Sequence, residues 1–73
     1  MKNNIEKYLN LAKKKGKTVT DIIEISGIGR TSFYEIKSGN QVPKLDTARS
    51  IARALNTTLE EIFPQLKEAL EID

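Results

Sequence analysis

The chain has 73 residues, of which 12 are lysine or arginine and 10 are aspartate or glutamate, so its formal net charge is +2. Because it contains no cysteine and no histidine, we exclude disulfides, thiolate and imidazole catalysis and the common zinc sites, and we expect neither a metal nor a cofactor. No apolar run approaches the roughly 18 residues of a membrane span and no signal-peptide core follows Met1, which predicts one small cytoplasmic domain over residues 1–73 without membrane contact.

The apolar residues recur at helical spacing along nearly the whole chain, which predicts an all-α domain of five to six short helices. The predicted helices span about 4–14, 19–26, 30–37, 45–55, a short stretch after Thr58, and 64–71. Capping boxes are predicted at the pairs Asn3 with Glu6, Thr18 with Asp21, and Thr58 with Glu61. Left-handed helix ends are predicted at Gly16, Gly27, Gly39 and Asn56.

The helix predicted at 30–37 begins with an unusual first turn. The helices before and after it carry an acid in the first turn, which suits the positive end of a helix dipole. This helix begins instead with Arg30, Thr31 and Ser32, a charge pattern that costs about 0.3–1 kcal/mol of stability. A basic helix start without an acid is a suitable place for a phosphate or a base edge, so this turn is a candidate binding site.

The outer face of the same helix carries hydrogen-bonding side chains. Phe33 and Ile36 define its buried direction at 100° per residue. The opposite face presents Thr31, Tyr34 and Glu35, with Arg30 on its flank at the leading end of the helix. Such a face is ordinarily only solvated, but arginine suits guanine, glutamate accepts from cytosine, and threonine contacts a thymine methyl group or a phosphate. The set of side chains therefore indicates recognition of base edges.

Charge is distributed unevenly along the chain. Residues 1–53 hold eleven lysines and arginines against five acids, a net charge of +6, whereas residues 54–73 hold one lysine against five acids, a net charge of −4. A randomly clustered, solvated surface would explain this pattern. The alternative is a body that binds a polyanion, with an acidic tail facing away from it.

The segment from Thr18 to Gly39 resembles the helix-turn-helix of the lambda-repressor-like (Cro/XRE) DNA-binding proteins. The matching residues are Thr18, Ile22-Ile23, Gly27-Ile28-Gly29-Arg30, Phe33 and Ile36-Lys37-Ser38-Gly39. The family's later pattern continues through Pro43, Leu45, Ile51-Ala52, Ala54-Leu55, Thr58 to Glu61 and Ile62-Phe63. The resemblance covers about 4–63 and implies a compact lambda-repressor-like DNA-binding domain.

The resemblance also implies a function and a set of contacts. It implies sequence-specific binding of double-stranded DNA by a transcriptional regulator, a repressor from a bacterium, phage or mobile element, with helix 30–37 in the major groove. The implied base-contact residues are Arg30, Thr31, Ser32 and Glu35. The implied DNA-backbone contacts are Thr18, Tyr34, Lys37, Asn40, Gln41 and Lys44.

The chain departs from the family pattern at three places. Val19 stands where the family often has a glutamine that contacts phosphate. Ile23 replaces an alanine, which predicts altered packing around the following turn. The family's arginine–glutamate pair between its first helix and its recognition helix is replaced by Ala12 and Lys37. With that pair absent, Lys37 is expected to serve phosphate directly.

One such domain contacts only a few base pairs, so useful specificity requires a two-fold dimer on half-sites roughly 34 Å apart. The resemblance extends to repressors that dimerise through their last helix. The predicted dimer contacts are Ile62, Phe63, Leu66, Leu70 and Ile72. Packing of these residues onto the chain's own first and fourth helices is the alternative.

Two other classes of protein remain to be weighed. The same fold also serves as an antitoxin or as an adaptor that binds a partner protein, in which case Tyr34 and Glu35 would face that partner. An enzyme is not expected, because no nucleophile has an evident base and the chain offers no deep pocket. The length also predicts no small-molecule effector domain.

Overall fold

The computed structural model describes residues 2–66 of the chain. Its elements are α1 (Ile5–Lys14), α2 (Val19–Ser26), α3 (Arg30–Lys37), α4 (Leu45–Ala54), α5 (Leu59–Ile62) and a 3-10 turn (Pro64–Leu66). The predicted all-α class is confirmed, and the four longer helices begin and end within one residue of their predicted limits. Of the helix predicted over 64–71, the part after Leu66 lies outside the described residues. Among the described helices, none has the length and apolar character that crossing a bilayer requires.

Each helix buries one apolar stripe in a shared core. The buried hydrophobic residues are Ile5, Leu9, Ala12, Ile22, Ile23, Phe33, Ile36, Ala48, Ile51, Ala52, Ala54, Leu55, Leu59, Ile62 and Phe63. Phe33 and Phe63 are the largest of the fully buried side chains, and burying a side chain of this kind stabilises a fold by about 1.5–3 kcal/mol. Phe33 and Ile36 therefore anchor the inner face of α3, the recognition helix predicted from the sequence, in this core.

Three helices end in the same hydrogen-bonded motif. Gly16, Gly39 and Asn56 have φ values of 87°, 88° and 57°, in the left-handed region. After α4, the Asn56 amide donates to the Arg53 carbonyl and the Thr57 amide to the Ala52 carbonyl, which is the pattern of a Schellman motif. The predicted left-handed helix ends are thus confirmed, including the one that uses asparagine.

The capping box predicted for Asn3 and Glu6 is wrong. Helix α1 has Asn4 as its N-cap, without a side-chain cap. The Asn3 amide nitrogen donates instead to the carbonyls of Ile36 and Lys37, at 2.9 and 3.3 Å. The last carbonyls of a helix have no partner within it, so Asn3 satisfies two of them in α3 and ties the N-terminus to that helix.

The start of α5 is capped by one hydrogen bond. The Thr58 hydroxyl accepts from the Glu61 amide at 3.3 Å, as predicted. The Glu61 carboxylate, which the predicted box directs back to the Thr58 amide, accepts instead from the Tyr8 hydroxyl at 3.0 Å. This hydrogen bond joins α1 to α5.

The dimer contact predicted at Ile62 and Phe63 needs correction. Both side chains are fully buried within the monomer, so neither has surface left for a second chain. Leu66 is half-buried and packs against the same core. Leu70 and Ile72 lie outside the described residues. The packing of the end of α5 onto the chain's own core thus takes the place of the predicted intermolecular contact at these two residues.

Candidate nucleic-acid interface

The turn between α2 and α3 contains two glycines with different backbone conformations. Gly27 is left-handed at φ 72°, whereas Gly29 is extended at φ −61° and serves as the N-cap of α3. The Ser26 hydroxyl donates to the Ile23 carbonyl at 2.8 Å and accepts from the Ile28 amide at 3.3 Å. Ile23 itself is only 7% exposed, so the core accommodates the larger side chain. These bonds fix where α3 begins relative to α2.

The start of α2 carries the predicted capping box. The Thr18 hydroxyl accepts from the Asp21 amide at 3.1 Å, and the Thr18 amide donates to the Asp21 carboxylate at 2.9 Å. The bond from the Thr18 amide to the carboxylate is the main cause that holds the pKa of Asp21 below its ordinary value, and the Thr18 hydroxyl and the charge of Lys17 add to the effect. Thr18 therefore stabilises α2 through both its hydroxyl and its amide, and its side chain is exposed.

The start of α3 is open. No side chain caps it and no acid lies in its first turn, whereas α1, α2, α4 and α5 each have at least one acid there. The first internal bond of α3 runs from the Phe33 amide to the Gly29 carbonyl. The amides of residues 30–32 therefore lack a partner within the helix and point out of its positive end.

The outer face of α3 has the predicted composition. Arg30, Thr31, Tyr34 and Glu35 are exposed, and Ser32 is half-buried. Tyr34 is 42% exposed, and its ring meets that of Phe33 edge to face at 5.9 Å. The large aromatic side chain is thus anchored on the core at one edge and presented to solvent at the other.

Thr20 joins the candidate site although the sequence does not single it out. Its hydroxyl accepts a hydrogen bond of 3.3 Å from the Arg30 guanidinium. This bond crosses from α2 to α3 and orients the arginine at the leading end of α3. The two residues are ten positions apart, so only the folded turn, and no local spacing signal, brings them together.

Lys37 has a partner that the sequence analysis misses. Its ammonium lies 3.0 Å from the Glu6 carboxylate, and the two side chains are 27% and 72% exposed. The same ammonium lies 5.9 Å from the centre of the Tyr34 ring. Helices α1 and α3 are therefore joined by an ion pair whose acid is on α1 and whose base is on α3. In the structure the Lys37 ammonium is paired with Glu6 and is not free for phosphate, contrary to the expectation from the sequence.

The remaining predicted backbone contacts follow α3. The amides of Asn40 and Gln41 both donate to the Glu35 carbonyl, at 3.0 and 3.1 Å, and their side chains are exposed. Lys44 is exposed and is the N-cap of α4, without a side-chain cap bond. The structure thus fixes the backbone of Asn40 and Gln41 at the C-terminal end of α3 and leaves all three side chains accessible to a ligand.

Comparison with known proteins gives a family but no individual relative. The family model of the Cro/C1-type HTH DNA-binding domain matches residues 7–64, a range that contains α2, the turn and α3. Neither the search of curated proteins nor the search of solved structures found a match. The matched range covers more than half of the 73 residues. The chain therefore belongs to the Cro/C1-type helix-turn-helix DNA-binding domains.

Proposed function

We propose that this chain is a transcriptional regulator that binds double-stranded DNA as a dimer and reads the major groove with α3. The observation that carries the proposal is the open start of α3, which lacks both a side-chain cap and an acid and presents Arg30. An uncapped helix N-terminus attracts anions through its free amides and its dipole. Such an end stabilises a protein–DNA complex more than it stabilises the free protein.

Base recognition belongs to the outer face of α3 in this proposal. Arg30 donates to guanine O6 and N7, with Thr20 orienting its guanidinium through the bond already formed. Glu35 accepts from the amino group of cytosine, and Thr31 contacts a thymine methyl group. Ser32, which is half-buried, contacts a base edge through its hydroxyl group.

Backbone positioning belongs to the residues around α3. Thr18, Tyr34, Asn40, Gln41 and Lys44 contact phosphates or sugars, and such contacts set the register of the protein on the duplex. Lys37 reaches phosphate only if its ammonium leaves Glu6, so its contribution is the difference between two ion pairs. We therefore assign it a smaller share of the affinity than a lysine without a partner would have.

A regulator that occupies its operator excludes other proteins from the same DNA, and we propose repression on that ground. Two copies on adjacent half-sites, roughly 34 Å apart, would give the specificity that one small domain lacks. Because its ligand is chromosomal or phage DNA, we expect it to act in the bacterial cytoplasm.

The first prediction tests the role of Arg30. A duplex selected from a random pool serves as the cognate site, and binding of Arg30→Ala is compared with that of the wild type on this site and on random duplex. We expect a loss of about 1–3 kcal/mol on the cognate site and a smaller loss on random DNA, because a base contact contributes only where its base is present.

Lys14→Ala is the matched control, since it removes one positive charge from the exposed end of α1 and leaves α3 intact. It should weaken binding to both duplexes equally. An Arg30→Ala variant with equal losses on the two duplexes would show that Arg30 contacts phosphate alone. A wild-type chain without affinity for any duplex at low salt would favour a partner protein as the ligand.

A further inference from the structure

The ion pair between Glu6 and Lys37 joins two helix ends of opposite polarity. Glu6 lies in the first turn of α1 and Lys37 in the last turn of α3, so each charge also interacts favourably with the dipole of its own helix. Their contact of 3.0 Å is the single ion pair between side chains of residues 2–66. If the two side chains separate, each keeps its interaction with a helix dipole, which lowers the cost of breaking the pair.

The Lys37 ammonium lies beside the candidate DNA-binding face. It is 5.9 Å from the centre of the Tyr34 ring, close enough for a cation–π interaction, and Tyr34 belongs to the exposed outer face of α3. The side chains of Lys37 and Glu6 are 27% and 72% exposed. The ammonium therefore lies between the Glu6 carboxylate and a surface on which a DNA phosphate would be a second acceptor.

The packing of α1 against α3 does not depend on this ion pair. The Asn3 amide nitrogen donates to the carbonyls of Ile36 and Lys37, and both Ile5 and Ile36 are buried in the shared core. An ion pair as exposed as this one contributes little stability beside such contacts. The negative charge of Glu6 is therefore not needed to hold the end of α3 in place.

We propose that Glu6 lowers the affinity of the chain for DNA, because its carboxylate competes with DNA phosphates for the Lys37 ammonium. This inference rests on the proposed DNA binding and deepens it, since it names a residue on α1 that sets the affinity of α3. The carboxylate is part of the same molecule, so a phosphate must displace it before Lys37 contributes to binding. Phosphates are the same in every sequence, so Glu6 weakens specific and non-specific binding by a similar factor.

The test compares DNA binding by the full-length wild type and Glu6→Gln, which removes the charge and keeps the size of the side chain. Fluorescence anisotropy measures binding to the selected cognate duplex and to random duplex. Because an exposed ion pair is broken at a cost of about 0.2–1 kcal/mol, Glu6→Gln should bind both duplexes about two- to fivefold more tightly.

The matched control is Glu60→Gln, which makes the same change in charge at the same position of another helix. Glu60 is exposed in the first turn of α5 and has no ion pair among residues 2–66. Its replacement should give a smaller gain in affinity, which measures the effect of net charge alone. Circular dichroism verifies that each variant keeps its helix content.

A double-mutant cycle with Lys37→Met tests whether Glu6 acts through Lys37. Methionine keeps the length of the lysine stem and removes the ammonium. In the Lys37→Met background, Glu6→Gln should give no more than the gain seen with Glu60→Gln. In the Glu6→Gln background, Lys37→Met should flatten the dependence of binding on salt by about one unit, because one phosphate contact is lost.

Three results would overturn the proposal: a Glu6→Gln variant that binds no more tightly than Glu60→Gln, the same gain from Glu6→Gln with and without Lys37, or an unchanged salt dependence when Lys37 is removed from the Glu6→Gln variant. If any of these is found while the wild type binds DNA, the DNA-binding proposal stands and the competition by Glu6 falls. A wild type and a Glu6→Gln variant that both fail to bind every duplex would overturn the two proposals together.

Discussion

The two helices of the helix-turn-helix have the same length but begin in opposite ways. Helix α2 starts with Thr18 and Asp21 in a reciprocal capping box. Helix α3 starts with Gly29, which has no side chain to cap it, followed by Arg30. The first arrangement satisfies free amides within the protein, and the second leaves them for a ligand. The proposed function thus assigns local stability to one helix start and recognition to its neighbour.

The stability that α3 lacks at its start is supplied elsewhere. Phe33 and Ile36 anchor its inner face in the core, and the Asn3 amide satisfies carbonyls at its C-terminal end. The Glu6–Lys37 ion pair adds a further link to α1. Helix α3, whose positive end is open, is therefore fastened by its inner face and its opposite end.

The largest expected effect on stability comes from replacing Gly27, in the turn between the two helices. Gly27→Ala forces a side chain into the left-handed region at φ 72°, whereas Gly29 is already extended; neither Cβ would meet another atom within 4 Å. We expect Gly27→Ala to cost about 1–2 kcal/mol of unfolding free energy in urea denaturation. Gly29→Ala, the control, should change stability by only a few tenths of a kcal/mol. Equal losses would mean that the left-handed φ of Gly27 does not govern the stability of the turn.

The contrast between these glycines also shows what the sequence can predict. Helix limits and left-handed ends depend on neighbours within a few residues, which is why the bounds of α2 and α3 were predicted in full. The bonds from Arg30 to Thr20 and from Lys37 to Glu6 join residues 10 and 31 positions apart. Such pairs depend on how helices pack, and local pattern carries no information about them. The misassigned role of Asn3 has the same cause.

Removing the Thr18 cap tests how much the start of α2 contributes to stability. Thr18→Ala deletes the acceptor for the Asp21 amide and should lower the unfolding free energy by about 1 kcal/mol. Thr18→Ser retains the hydroxyl and should stay close to the wild type. The measurement is the midpoint of urea denaturation, compared between variants whose unfolding free energy depends equally steeply on urea concentration. A Thr18→Ala variant as stable as the wild type would show that water caps α2 equally well.

Giving α3 the kind of start that α2 has should separate stability from binding. Gly29→Asp adds a cap and a negative charge at the positive end of the helix, which should raise the unfolding free energy by about 0.5 kcal/mol. The same charge faces the phosphates and should weaken DNA binding roughly tenfold. Gly29→Ser adds a cap without charge and serves as the control, with a similar gain in stability and a smaller loss of affinity. A Gly29→Asp variant that binds DNA as well as the wild type would refute the open-end mechanism.

The smallest effect concerns pH, and its sign follows from the capping box. The hydrogen bonds from Thr18 keep the pKa of Asp21 lower in the folded chain than in the unfolded one. The unfolded chain therefore binds the proton more readily, so this contribution is present above about pH 4 and is lost as the pH falls through the folded pKa. Asp21→Asn should remove that part of the fall in unfolding free energy between about pH 5 and pH 2. Thr18→Ala should remove only the smaller share that depends on the hydroxyl, because alanine keeps the backbone amide that is the main cause of the lowered pKa of Asp21.

Thr20→Ala, on the exposed side of the same first turn, should leave the pH dependence as it is, because Thr20 bonds to Arg30 and not to Asp21. If Asp21→Asn kept the full pH dependence, the acid sensitivity would arise from another carboxylate. The difference between the two helix starts would then lie in their hydrogen bonds alone. The charge of Asp21 would contribute nothing to holding α2, and the absence of an acid from α3 would no longer be a sign of its function.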